Sequence, residues 1–219
     1  MADFIKEVIE ENDVSTKNVA IILPSRNAYV RRVTMPAMTV DQLKVNMPYE
    51  FHDYITEDMD KYNYDYSLIE MIKDDEGKPK EMDLMLVAAP KEIVEKYQTM
   101  LRRAGLKLVL IAPEVFAFKN IIKDYEEANH ITEKKDYAIL DIGHSDLRLH
   151  FFTGGEFEIT RIMEPGCNRI ATFLADKNGQ DTHIAQINEE LNLDNAVADE
   201  NLVEMYNQMA VEIMRVLNF

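Results

Sequence analysis

Between Tyr137 and Met163 the chain carries three β-rich runs, YAILDI, LRLHFF and EFEITRIM, separated only by GHSD and TGG. Connections that short cannot return the chain to the same end of a sheet, as a parallel neighbour requires, so the runs are predicted to be consecutive antiparallel strands. Whatever surrounds them must cover a three-stranded meander. Its first turn breaks at Asp141-Ile142-Gly143-His144-Ser145. Backbone N–H groups and a serine hydroxyl in such a turn can point at a phosphate, and Gly143 removes the side chain that would block close approach. A strand-end carboxylate such as Asp141 can hold Mg²⁺ through water or orient an attacking water. The same residues also describe an ordinary hairpin tip capped by an aspartate, and the residue pattern leaves both readings open.

Upstream, elements of mixed type alternate. MADFIKEVIEEND places Phe4, Ile5, Val8 and Ile9 at helical spacing. VAIIL reads as a strand stopped by Pro24 and Ser25, and the alternating YVRRVT after it as a second, the two forming a hairpin. Thr39 with Gln42 makes a capping box ahead of Val40, Leu43, Met47 and Phe51, and Pro48 kinks or ends that helix. Tyr62, Tyr64, Tyr66 and Leu68 share a strand face, DDEGKPK turns the chain, and MDLMLVAA returns it. Pro90 opens a helix that ends on Arg102, Arg103 and Gly105, then LKLVLIAP gives a buried strand. The next helix turns Val115, Phe116, Phe118, Ile121 and Ile122 inward. Past the meander, GCNRIATFLADKNG reads as a glycine-led helix, and the tail from Thr182 as helical with Leu202, Met205, Met209, Val211, Ile213 and Val216 as apolar faces.

Composition removes several classes of function. Forty Asp and Glu against 24 Lys and Arg give a formal charge of -16, which repels polyphosphate backbones and argues against nucleic acid. The apolar runs fall far short of the ~20 residues that cross a bilayer, and the acidic opening does not resemble a secretory signal. The single Cys167 excludes an intrachain disulfide and points to a reducing compartment. Its position near a helix start raises the question of a reactive thiol, but no base lies nearby in sequence, and it reads as a small core residue. The five histidines show no metal-ligand spacing. The tyrosine stripe reads as a packing face before a peptide-binding one, and the acidic clusters as solvated turns and helix ends.

The segment AILDIGHSDLRLHFFTGGEFEITRIMEPGCNRI resembles the second phosphate motif of the actin-like ATPases, with its hydrophobic strand, D-I-G, serine, two further strands, arginine and glycine-led helix. IILPSRNAYVRRVTMPAM, QLKVNMPYEFHDYI and LMLVAAPKEIVEKYQTMLRRAGLKLVLIAPEVFAFKN are similar to the PilM family of type IV pilus assembly proteins, relatives of FtsA, over roughly residues 14–219. That resemblance implies an incomplete actin-like (ribonuclease H-like) α/β fold. Residues 1–34 and 90–135 would belong to the first actin-like subdomain, 35–89 to an inserted one, and 136–219 to the second. It implies ATP and Mg²⁺ as cofactors, with Asp141, Gly143 and Ser145 facing the phosphates.

The resemblance also implies a cytoplasmic scaffold at the inner face of the inner membrane. Its partner would be the N-terminal tail of a PilN-like membrane protein, with Val33, Met35, Met38, Leu110 and Phe116 framing the groove. No counterpart of the family's first D-x-G hairpin precedes Val19, and no adenosine-binding Gly-Gly turn follows the last helix, so the expectation is a middle portion that does no catalysis alone and self-associates through unpaired sheet edges. His144 and Ala171 also depart from the family pattern. An ATPase and an FtsA-like division protein are the alternative readings.

Overall fold

A computed structural model describes residues 1–218, and within them every side chain except those of Asp194 and Ala196. The chain divides into two compact units, Met1–Thr132 and Glu133–Phe219.

The first unit opens with α1 (Ala2–Glu11), an amphipathic helix with no fully buried residue. It continues through β1 (Asn18–Leu23), β2 (Tyr29–Pro36), α2 (Val40–Asn46), β3 (Tyr62–Lys73), β4 (Pro79–Pro90), α3 (Lys91–Arg103), β5 (Lys107–Pro113) and α4 (Glu114–Ala128). The expected β1–β2 hairpin does not form. β1 runs parallel to β5, whereas β2 is antiparallel to β4. A 3₁₀ turn at Ser25–Asn27 redirects the chain. The reason lies far away in sequence: the buried Glu114 carboxylate accepts hydrogen bonds from Ser25 N and Ser25 Oγ at 2.8 and 2.6 Å. This clamp joins the proline-terminated ends of β1 and β5 and sends β2 into another sheet.

That second sheet has the order β2-β4-β3. The expected subdomain boundary at residues 34 and 35 therefore falls inside a paired strand. Val33, Met35, Met82, Leu84, Leu86 and Ala88 face α2 and the 3₁₀ segment after it, where Leu43, Met47 and Phe51 complete a buried cluster. The Thr39–Gln42 capping box starts α2, and Pro48 switches the chain to 3₁₀ geometry at Met47–Phe51. Tyr62 is buried in this cluster and Tyr64 and Tyr66 pack against it, so the stripe is a packing face. On the opposite face Arg32 reaches Asp83, Nη2 to Oδ2 at 2.6 Å and Nε to the two oxygens at 3.2 and 3.1 Å. Asp83 is only 8% exposed, so that guanidinium supplies hydrogen bonds that burial takes from water. In α4, Val115 and Ile122 are buried, but Ile121 points outward at 57% exposure, contrary to the periodicity reading.

The second unit contains the expected meander, β6 (Tyr137–Ile142), β7 (Leu147–Thr153) and β8 (Glu156–Met163), antiparallel in the order β6-β7-β8. Gly154 and Gly155 supply the positive φ values, 60° and 79°, that the second turn needs. Three helices follow: α5 (Asn168–Asn178), α6 (Thr182–Glu190) and α7 (Glu200–Leu217). They enclose Ile170, Leu174, Ala175, Ala185, Leu202 and Met205. Between α6 and α7 lies a 3₁₀ segment, Leu193–Ala198, after which Asp199 caps α7 by accepting from Asn201 N at 3.0 Å and pairs with Lys177. Val211, expected on an apolar face, is 57% exposed.

Candidate functional site

The turn between β6 and β7 is built from its register outward. Ile142 stands opposite Leu147 and Asp141 opposite Arg148, leaving Gly143, His144, Ser145 and Asp146 as the reversal. Gly143 N donates to Asp146 O at 3.0 Å and closes it. A β-carbon on Gly143 would lie 2.7 Å from that same carbonyl oxygen, so the glycine is required by the closed turn itself.

The expected site residues are thus brought together, along with partners that sequence reasoning passed over. Asp141 Oδ2 lies 3.1 Å from Arg148 Nη2, and Asp146 Oδ1 lies 2.9 Å from Arg148 Nε, so one guanidinium bridges two carboxylates. Asp146 is 7% exposed, while His144 and Ser145 are exposed. The segment leading into α5 closes over the turn. Gly166 N, Cys167 N and Asn168 N donate to Ser145 O, Gly143 O and His144 O at 2.9, 3.0 and 2.8 Å. A β-carbon at Gly166 would come within 2.5 Å of Asp146 N and 2.6 Å of Gly143 O and His144 O, all main-chain atoms. Arg148 was recoverable from sequence, because a four-residue turn after Ile142 sets it opposite Asp141. Gly166 was not, because its neighbours in space are some twenty residues away.

Around this joint, burial pushes the Cys167 thiol up, with a smaller push from Glu189. Tyr206 Oη donates to Glu189 Oε1 at 2.8 Å. Burial, then that hydrogen bond, pushes its phenol up to about 12. Among the described residues no group of three or more His, Cys, Asp or Glu is placed to hold a metal ion, and no helix is long and apolar enough to cross a membrane.

The residues expected to frame a peptide groove fall into different environments. Val33 and Met35 are not surface anchors: both are 8% exposed in the cluster under α2, with Met38 packed against it. β2 turns that side of its alternation toward α2, and this removes them from any outer face. Phe116 is half-buried in α4, and Leu110 is 54% exposed on β5. Because Ala20 pairs with Leu110 and Ile22 with Ala112, Leu110 shares a sheet face with Ile22, itself 48% exposed.

A mixed α/β chain with a parallel strand pair, a three-stranded β2-β4-β3 sheet and a three-stranded β6-β7-β8 meander has an actin-like ATPase fold in which the sheets are partial. The family model described as "Type IV pilus assembly protein PilM" matches residues 1–219, and the chain belongs to that family. The solved PilM-PilN type IV pilus biogenesis complex contains a similar chain, with 20% identity and a TM-score of 0.73 over 98% of this chain and 63% of that one. The chain thus spans less than two thirds of the length of that relative. The cytoplasmic domain of EpsL, an inner membrane component of the type II secretion system of Vibrio cholerae, is 14% identical with a TM-score of 0.47, over 82% of this chain and 63% of that one. A comparison with curated proteins returned no match.

Proposed function

We propose that this chain is a cytoplasmic scaffold element of type IV pilus assembly that holds the N-terminal tail of a PilN-like inner-membrane protein. The observation that carries the reading is the match of the whole chain to the PilM family, supported by the fold likeness to a chain of the PilM-PilN type IV pilus biogenesis complex. Within Met1–Thr132, the face bearing Ile22 and Leu110, beside Val109 at 54% exposure, offers one apolar surface to a peptide. Val33 and Met35 support the fold from inside, Met38 packs against them, and Phe116 stands on the helix that follows β5. An extended peptide placing two apolar side chains on that face needs no catalysis and is held at the membrane by its own transmembrane anchor.

Isothermal titration of the chain with a PilN-like tail peptide tests this. The expected dissociation constant is about micromolar or tighter, weakened at least tenfold by Leu110→Asp. Absence of heat together with an unchanged melting temperature refutes the reading.

A further inference from the structure

We propose that Arg148 is the resident cation of the Asp141–Asp146 turn and sets its specificity against a metal-bound polyphosphate. A phosphate and Mg²⁺ site at this turn needs the Asp141 carboxylate open to a hydrated divalent ion and a set of N–H donors converging on an anion. Arg148 competes for the Asp141 carboxylate, and the segment leading into α5 holds three nearby N–H donors in bonds of its own. The Arg148 guanidinium lies against Asp141 Oδ2 at 3.1 Å and Asp146 Oδ1 at 2.9 Å, with its own side chain 18% exposed and the Asp146 side chain 9% exposed. The Asp141 side chain keeps 30% exposure, so salt reaches that carboxylate, while the Asp146 pair is screened less. A divalent cation at Asp141 would sit a few ångströms from a full positive charge with no side chain between them.

Main-chain donors on the α5 side are committed in the same way. The N–H groups of Gly166, Cys167 and Asn168, which the start of a helix would otherwise offer to an anion, are spent on the three carbonyls of the turn. On the side facing α5 the turn is packed against backbone, since even a β-carbon at Gly166 has no room, while His144 and Ser145 stay exposed. A neighbouring cleft of about 320 Å³ carries Glu164 and Glu212 against the single cation Arg169, a balance that disfavours a polyphosphate. The D-I-G turn therefore works here as a joint in which two carboxylates share one guanidinium, locking β6 and β7 to α5 without a ligand. This inference concerns the second unit and is independent of the peptide reading.

The test is Mn²⁺ binding to the full chain, followed by electron paramagnetic resonance with and without ATP, for wild type, Asp141→Asn, Arg148→Met and the double variant. Comparison with Asp141→Asn separates the turn from surface carboxylates of this acidic protein. The expected result is that Asp141→Asn leaves Mn²⁺ and Mn-ATP uptake by the wild type unchanged. Arg148→Met then gains a site at least tenfold tighter than any wild-type site, and the double variant loses it. A tenfold loss of Mn-ATP binding on Asp141→Asn with Arg148 in place overturns the proposal. So does a folded Arg148→Met that gains no Mn²⁺. Should Arg148→Met not fold, the comparison of wild type with Asp141→Asn decides alone.

Discussion

Substituting Gly166 by alanine isolates the joint between the D-I-G turn and α5. The added β-carbon would sit 2.5 Å from Asp146 N and 2.6 Å from two carbonyl oxygens, none of which can rotate away. Reaching an ordinary carbon–oxygen contact of about 3.4 Å requires the two segments to part by ~0.8 Å. The hydrogen bonds from Gly166, Cys167 and Asn168, now 2.8–3.0 Å, would then stretch to about 3.7 Å, beyond useful range. Three such bonds at ~1 kcal/mol each, with about 1 kcal/mol of residual crowding, give a loss of ~4 kcal/mol. For a cooperative unit of this size that is a fall of roughly 16–30 °C in melting temperature.

Urea unfolding gives the size of the effect, and hydrogen exchange resolved to the peptides around residues 140–150 and 164–170 gives its location. Gly155→Ala is the control. Its φ is +79° and nothing lies within 4 Å of the new carbon, so it carries only the left-handed backbone penalty of about 1–2 kcal/mol. A Gly166→Ala protein that loses no more than the control, with the amides of residues 166–168 still protected, would refute the steric reasoning.

Arg32→Ala strands the buried Asp83 carboxylate and should cost ~3 kcal/mol in urea unfolding. Replacing both residues by apolar ones of similar volume should recover most of that loss. Tyr206 gives a pH signature. Its phenol is raised from 10.0 to about 12 in the folded state, so its stabilising contribution is complete below pH 10. It is lost as pH rises from 10 toward 12, because the unfolded chain releases that proton first. Tyr206→Phe should flatten that part of the melting-temperature profile, and an absorbance titration of the wild type should show one tyrosine ionising late. Cys167, with its thiol pushed up, should alkylate with iodoacetamide at pH 8 several-fold more slowly in the folded protein than in urea. Equal rates would contradict its burial.

Much of this protein is legible as local chemistry. The meander follows from turns too short for a crossover, α2 from a capping box that forms as written, and the Asp141–Arg148 pairing from the length of a turn. Each of these depends on residues within a few positions of one another, where spacing and backbone preference suffice. Partner choice and facing are different. The VAIIL run declares a strand, but that it joins KLVLIAP some ninety residues later depends on the clamp between Glu114 and Ser25 and on which faces the helices cover. Val33 and Met35 alternate correctly, yet only α2, packed across β2, decides that they face the core. The D-I-G residues announce a tight turn, and a phosphate cradle and a closed joint are written with the same letters. Arg148 bound across the strands, and the α5 start hydrogen-bonded onto the turn from beyond β8, separate the two, because contacts between distant segments exist only once the sheet and its helices have packed.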